Sequence, residues 1–160
     1  MESLPKRRIL ISVDESEGSL KACEWALANL YREGDVLHLF HVISPGQHVV
    51  MASEMGLQEV IEDSEEEKKR VEDHAREFLI SKFAKHLDEK KVQYQAEIVR
   101  FATDNDSIGS VVCKRAEQLN ASAIVLAKHN KGAVKEFFVG SVTNYVTHHC
   151  RLPVIVMHCD

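Results

Sequence analysis

The pattern of apolar and polar positions along the chain predicts five β-strands. Continuous or nearly continuous apolar runs cover residues 9–13, 123–127 and 154–157, and such runs suit strands buried on both faces of a sheet. Residues 36–42 and 92–101 instead alternate apolar with polar side chains. Alternation is typical of a strand that is wet on one face, so we expect the 92–101 strand near an edge of the sheet.

Segments with apolar residues at helical spacing lie between these strands and predict four main helices. They cover residues 16–31, 64–87, 107–119 and 141–149. Gly34-Asp35 is expected to close the first helix, and Asn120 to end the third in left-handed geometry. A capping box is expected at Ser64 and Glu67. Strands and helices in alternation predict an α/β fold: an open, doubly wound, five-stranded parallel sheet of order 3-2-1-4-5 with right-handed crossovers.

The periodic pattern lapses between residues 44 and 64. Pro45, Gly46 and Gly56 interrupt this segment, and its scattered apolar residues predict a flexible loop with a helical turn. Two roles remain open for it. It is either a surface excursion or a flap near the edge of a ligand site.

Length and composition indicate one globular domain over residues 1–160. Of its 160 residues, 44% are hydrophobic and 28% are charged, and the formal net charge is −5. A net negative charge argues against a surface that coats nucleic acid, and no apolar run approaches the roughly 20 residues that span a bilayer. The N-terminus lacks the apolar stretch of a secretory signal. We therefore expect no nucleic acid and no membrane among the partners.

Cysteine usage favours a reducing, cytoplasmic location. The four cysteines are widely spaced and form no C-x-x-C pair; they are Cys23, Cys113, Cys150 and Cys159. A chain of this size is stabilised by its core and needs no disulfides. Cys23 and Cys113 lie in apolar helical patterns, so we interpret them as small buried hydrophobic residues.

The predicted sheet has one natural place for a ligand, the crevice beyond the carboxyl ends of its first and fourth strands, where the strand order reverses. Ser12-Val13-Asp14 and the segment 127–130 meet there. Two roles remain open for Asp14. Its carboxylate can accept hydrogen bonds from sugar hydroxyls or help to hold a cation, or it can cap the helix that follows.

The second of these segments leads through a basic loop to a helix that starts at Gly140-Ser141. A helix N-terminus presents unpaired N–H groups and attracts phosphate, Gly140 permits close approach, and the hydroxyls of Ser141 and Thr143 add donors. Positive charge is concentrated here although the chain as a whole is acidic, at Lys128, His129, Lys131 and Lys135. The sequence therefore predicts an anionic ligand, and a helix cap beside a solvated basic loop stays open as the alternative.

Neither a catalytic centre nor a metal site is predicted. The chain lacks the G-x-x-x-x-G-K-[ST] phosphate loop and the G-x-S-x-G nucleophile elbow. Metal-binding residue types do crowd the C-terminus, at His148, His149, Cys150, His158 and Cys159. Adjacent histidines on a helix point about 100° apart and seldom chelate one ion together, and histidines in a last turn favour the negative end of the helix dipole.

Several stretches of the chain resemble the universal stress protein family. Ile-Leu-Ile-Ser-Val-Asp-Glu-Ser at residues 9–16 looks like that family's opening strand and loop. Residues 128–135 and 138–145, with His148-His149 and Pro-Val-Ile-Val at 153–156, are similar to its plant-type branch. The family's pattern of Gly, two residues, Gly, nine residues, Gly and then Ser or Thr falls on positions 127, 130, 140 and 141.

This glycine pattern is matched in its second half and altered in its first. Gly140 and Ser141 match, whereas Ala127 and Asn130 replace the first two glycines. Asn is the non-glycine residue that best tolerates left-handed geometry, so Asn130 is compatible with the shape of the loop. A methyl of Ala127 in the path of the ligand would cost ~1–3 kcal/mol, about tenfold or more in affinity, and one that points aside would cost nothing.

The resemblance implies a stress-response or signalling module that binds ATP or AMP, with or without Mg²⁺. It implies at most slow ATP hydrolysis. It implies that Val13 and Val42 lie near the base and that Asp14 lies at the ribose. It assigns the phosphate loop and the phosphates to Leu126, Ala127, His129, Asn130, Gly140, Ser141, Val142 and Thr143. It also implies a homodimer through the last strand, Val154–Met157. The alternative is a dimeric scaffold or chaperone-like member without nucleotide, because Ala127 and Asn130 replace motif glycines.

Overall fold

A parallel sheet organises the protein. The computed structural model describes residues 6–43, 47–51, 58–62, 64–100, 107–129 and 142–159. Within these residues the strands are β1 (Arg8–Ser12), β2 (Val36–Ile43), β3 (Gln47–Met51), β4 (Gln58–Glu62), β5 (Tyr94–Arg100), β6 (Ala123–His129) and β7 (Val154–Cys159). Five of them form one sheet of order β5-β2-β1-β6-β7, and every neighbouring pair is parallel. The predicted order 3-2-1-4-5 is therefore confirmed.

Helices connect these strands as the periodicity predicted. They are α1 (Glu17–Asn29), α2 (Glu65–Phe78), α3 (Lys85–Glu89), α4 (Ile108–Gln118) and α5 (residues 142–149). A π-helical turn, Leu79–Ala84, joins α2 to α3, so that the two form the single long helix expected after Ser64. In the part of the chain that the structure describes, no helix is long and apolar enough to cross a membrane.

The helix ends test the predicted caps. Ser64 and Ser107 are the N-caps of α2 and α4, but the reciprocal capping box is formed by Ser107 with Ser110 and not at Ser64. Asn120 has a φ of 49°, which confirms left-handed geometry after α4. The prediction that Gly34-Asp35 closes α1 is wrong. The helix ends at Asn29, and Gly34 supplies a φ of 93° in the turn before β2 instead.

The segment 44–64 differs from its prediction. Where a loop with a helical turn was expected, β3 pairs antiparallel with β4, with Val49 opposite Val60. The apolar residues of both stretches are largely β-branched, which favours extended backbone over helix. Apolar spacing alone did not distinguish strand from helix, because β3 and β4 are each only five residues long.

Two hydrophobic clusters cover the two faces of the sheet. Alternate residues of the strands pack with α1, α2 and α3 on one face, around Phe78, Phe83 and Leu87. The other residues pack with α4 and α5 on the opposite face, around Phe40, Val112 and Val146. Both edges of the sheet are open within the described residues, and Gln95 and Ala96 of β5 are exposed. This confirms the expected edge position of the 92–101 strand.

Helices α4 and α5 touch at Gly109, close to the carboxyl ends of the strands. A Cβ atom built on Gly109 would lie 2.8 Å from Cβ and 2.9 Å from Cδ1 of Tyr145. These distances are shorter than real Cβ contacts, so the missing side chain of glycine lets the two helices approach. Because α4 and α5 both begin beside the same cavity, their separation helps to set its width.

We predict that Gly109→Ala lowers the free energy of unfolding by about 1–3 kcal/mol, because the overpacking of Tyr145 outweighs the helix propensity gained. Urea unfolding followed by circular dichroism measures this change. Glu117→Ala is the matched control: Glu117 is exposed on the same helix, and the variant should stay within about 0.5 kcal/mol of wild type. A Gly109→Ala protein more stable than wild type would contradict the close contact.

Candidate functional site

A cavity of about 170 Å³ opens at the carboxyl ends of β1 and β6. The pairing of these two strands ends at Ile11 opposite Val125, and beyond that point the strands lead into different helices. The cavity is lined by Ser12, Val13, Asp14, Val42, Ile108, Leu126, Ala127, Val142 and Thr143. It therefore lies at the reversal of strand order, where open parallel sheets bind their ligands.

Eight of the residues that the sequence singled out come together in this lining. They come from four separate parts of the chain: the end of β1, the end of β2, the middle of β6 and the start of α5. His129 is the last residue of β6, two positions beyond Ala127. Asn130, Gly140 and Ser141 lie outside the described residues, as do Lys131 and Lys135 of the basic loop.

The sequence missed one lining residue, Ile108. It is the first residue of α4, directly after the N-cap Ser107, so the turn that begins this helix also reaches the cavity. The helical pattern placed Ile108 only within the helix predicted over residues 107–119. A helix that connects two parallel strands starts at the carboxyl end of the sheet, and this rule was available as a signal.

The walls of the cavity are mainly apolar, with polar groups from three places. The aliphatic lining residues are Val42, Ile108, Leu126 and Val142, and the residues with oxygen-bearing side chains are Ser12, Asp14 and Thr143. Clefts that enclose whole small ligands measure about 300–1,000 Å³. A volume of about 170 Å³ therefore suits one flat, apolar part of a ligand whose polar remainder extends outward.

Asp14 lies in the lining and supports the start of α1 indirectly. Its Oδ1 accepts hydrogen bonds from the backbone N–H of Ser16, at 2.9 Å, and from the Ser16 hydroxyl. Ser16 is the N-cap of α1, since its Oγ accepts from the N–H of Ser19 at 3.2 Å. The proposed capping role thus belongs to Ser16. Asp14 orients that cap and is also one of the residues that line the cavity.

Glu15, the next residue, is tied to the long helix on the other face of the sheet. Its Oε2 lies 2.7 Å from Nε2 of His74, and its carbonyl oxygen accepts from Nζ of Lys82 at 3.1 Å. The hydrogen bond raises the pKa of His74 and lowers the pKa of Glu15. The charged pair is therefore present between the lowered pKa of Glu15 and the raised pKa of His74, and it is lost as the pH rises through the latter.

Ala127 stands where the family pattern has its first glycine, and its geometry is ordinary. It lies inside β6, opposite Met157 of β7, and its φ is not positive. Its side chain packs with the cluster on the α1 face, whereas the neighbouring Leu126 packs with the cluster on the α4 face. Successive strand side chains point to opposite faces, so the methyl of Ala127 points away from the aliphatic wall of the cavity.

Residues at the described N-terminal end of α5 form another part of the cavity lining. Val142 and Thr143 both line the cavity, and Thr143 is only 5% exposed. The carbonyl of Thr143 accepts a hydrogen bond from Oγ1 of Thr147 at 2.8 Å, one helical turn further on. The first turn of a helix carries the positive end of the helix dipole, so this wall suits an anionic group.

The histidines near the C-terminus are engaged within their own helix. Nδ1 of His148 lies 2.7 Å from the carbonyl of Asn144, and Nδ1 of His149 lies 3.0 Å from the carbonyl of Tyr145. The His149 ring also stacks on Tyr145, with 4.2 Å between ring centroids. Among the residues that the structure describes, no three His, Cys, Asp or Glu side chains come together as a metal site.

Comparisons with known proteins agree with this fold. A sequence model of the universal stress protein family matches residues 6–158. The universal stress protein PHOS32 of Arabidopsis thaliana is 33% identical over 95% of this chain and 64% of its own length. The chain thus spans a little under two thirds of that relative.

Solved structures of low sequence identity share the fold. A universal stress protein of Archaeoglobus fulgidus in complex with dAMP superposes with a TM-score of 0.60, at 14% identity and with 94% of this chain and 96% of the other covered. A universal stress protein in complex with cAMP gives a TM-score of 0.55, at 14% identity and with 96% and 97% covered.

Proposed function

Because the chain belongs to the universal stress protein family, we propose that the cavity between β1 and β6 binds ATP or AMP in a stress-response or signalling module. One observation carries this proposal. Seven of the residues that the resemblance assigns to the ligand, drawn from four parts of the chain, line one cavity at the reversal of strand order, together with Ser12. The complexes of relatives with dAMP and cAMP support a ligand of this class.

The chemistry of the walls suggests how the nucleotide is oriented. The base fits among the aliphatic side chains of Val42, Ile108 and Leu126, since a flat ring gains most from burial there. The carboxylate of Asp14 accepts hydrogen bonds from ribose hydroxyls, because it would repel phosphate. The phosphates then extend toward the start of α5, at Val142 and Thr143, and ATP brings its Mg²⁺ with it.

The proposal predicts that denaturing the purified protein releases AMP, ADP or ATP, or that added ATP with Mg²⁺ raises the melting temperature. A ligand at about 100 times its Kd stabilises the folded state by about 2.7 kcal/mol. Chromatography of the denatured supernatant and a thermal shift titration measure the two effects. If no nucleotide is released and millimolar ATP with Mg²⁺ causes no shift, the protein is instead the dimeric scaffold without nucleotide.

The orientation of Ala127 gives a second prediction. Ala127→Gly should leave the affinity for ATP unchanged, because the methyl does not face the aliphatic wall of the cavity. The free energy of unfolding should fall by about 0.5–1 kcal/mol, the usual effect of glycine inside a strand. Calorimetric titration and urea unfolding measure the two quantities. A tenfold gain in affinity would show that the methyl obstructs the ligand after all.

We also propose a homodimer through β7. This strand is an outer strand of the sheet, and Val154, Ile155, Val156 and Met157 are each only partly buried. The carbonyl of Pro153 accepts from the N–H of Ile124 in β6 at 2.9 Å. Because successive residues of a strand direct their backbone groups to opposite sides, the N–H of Val156 points away from β6. An outward row of donors and acceptors beside apolar side chains favours pairing with a second copy.

Val156→Pro tests this dimer, because proline removes the outward donor without removing a bond to β6. Sedimentation equilibrium of wild type should give twice the chain mass of 18.1 kDa, and the proline variant should give the chain mass itself. Val156→Thr keeps the N–H group and should remain dimeric. A monomeric wild type, or a dimeric proline variant, would rule out pairing through this strand.

A further inference from the structure

The peptide group between Val13 and Asp14 borders the cavity, and side chains from two different elements hold both of its polar atoms. The carbonyl oxygen of Val13 lies 2.8 Å from Nδ1 of His41, a residue of β2. The N–H of Asp14 donates to Oγ of Ser19, in α1, at 2.9 Å. The orientation of this peptide plane is therefore fixed from two sides. We refer to His41 and Ser19 together as the peptide clamp.

The clamp acts at the point where the β1–β2 ladder ends. The register runs to Ser12 opposite Phe40, and the N–H of Val13 still donates to the carbonyl of Phe40 at 2.9 Å. The carbonyl of Val13 then accepts from an imidazole. A side chain thus holds the chain in place as it leaves the sheet and turns toward Asp14.

Both members of the clamp are themselves held. The His41 ring packs edge-on against Phe78 of α2, with 5.0 Å between ring centroids and an interplanar angle of 89°. Phe78 is 5% exposed and belongs to the core, and Ser19 is 2% exposed. A carbonyl oxygen can only accept, so Nδ1 of His41 must carry the proton in this contact. The geometry therefore specifies the tautomer of the imidazole as well as its position.

We propose that His41 is a positioning residue for the nucleoside part of the ligand, acting through the Val13–Asp14 peptide; this rests on the proposed nucleotide function. By fixing the peptide plane, His41 fixes both the backbone wall beside the base and the direction of the Asp14 carboxylate at the ribose. A wall that is already in place loses no conformational freedom when the ligand binds. In the proposed orientation the phosphates extend toward Val142 and Thr143 of α5 and do not contact the clamp.

Three variants separate positioning from general stability. His41→Leu removes the donor and keeps an apolar side chain against Phe78, whereas His41→Asn keeps an N–H on the atom bonded to Cγ, as in Nδ1 of histidine. His86→Leu is the matched control, since His86 lies in α3 near Glu24, with 3.9 Å between Nε2 and Oε1, and not in the cavity lining. Two probes are titrated by calorimetry: AMP, and inorganic triphosphate as a ligand without a nucleoside.

His41→Leu should weaken the binding of AMP about tenfold and leave the affinity for triphosphate unchanged. His41→Asn should restore the affinity for AMP to within about threefold of wild type. His86→Leu should match wild type with both probes. An unchanged affinity of His41→Leu for AMP would overturn the proposal. So would an equal loss for AMP and triphosphate, or a failure of His41→Asn to restore binding, because either result indicates a general structural role.

A measurement without ligand tests the clamp independently of nucleotide binding. In ¹⁵N-resolved NMR spectra of the imidazoles, His41 should carry its proton on Nδ1, and the amide of Asp14 should exchange slowly with solvent and faster in Ser19→Ala. A proton on Nε2 alone, or an Asp14 amide that exchanges freely in wild type, would overturn the clamp. If wild type shows both signatures but binds no AMP, the nucleotide function fails and the clamp stands as a fold feature only.

Discussion

The pairing of the central strand β1 with its two neighbours is the constraint on which the rest of the structure depends. On one side the register with β6 ends at Ile11, and on the other side the register with β2 ends at Ser12. The cavity begins where these ladders stop, because the chain can leave the plane of the sheet only after its backbone groups are released. The position of the site therefore follows from where hydrogen bonding ends.

The released backbone does not go without partners. The N–H of Val13 donates to the carbonyl of Phe40, and the peptide clamp forms hydrogen bonds with the Val13 carbonyl and the Asp14 N–H. The Asp14 carboxylate accepts a hydrogen bond from the N–H of Ser16. The Glu15 carboxylate bonds to His74 of α2, and its carbonyl oxygen accepts from Lys82 of the π-helical turn. Consecutive residues of one loop are thus held from β2, α1 and the long helix. A loop tied in this way is a rigid wall, and rigid walls bind small ligands without a large entropic cost.

Local patterns predicted most of the fold because burial dictates them. A strand buried on both faces has to be apolar throughout, as in residues 123–127, and a helix on a sheet has to be apolar every third or fourth residue. The strand order and the position of the crevice then follow from rules of chain connection. The antiparallel pair β3–β4 was not predicted, because two or three apolar residues in a five-residue segment show no periodicity that separates strand from helix.

The sequence predicted the parts of the candidate site that lie at the ends of strands and helices, and not the contacts between separate strands. Ser12, Val13 and Asp14 stand at a strand end, and Val142 and Thr143 begin a helix, so topology brings them together. His41 gave no such signal, since the sequence shows only a polar residue in an alternating strand. Its role depends on a contact between separate strands, and such a contact appears only once the register is known. The orientation of Ala127 likewise depends on which face of β6 it occupies.

The central claim is that the two walls formed by the end of β1 and the start of α5 hold one ligand between them. Titration of ¹⁵N-labelled protein with AMP, followed by amide NMR spectra, tests it most directly. The account predicts saturable shifts confined to residues 12–14, 42, 108, 126–127 and 142–143, from both walls at a single Kd. Shifts on one wall only, shifts centred elsewhere on the sheet, or a spectrum unchanged at millimolar AMP would contradict it.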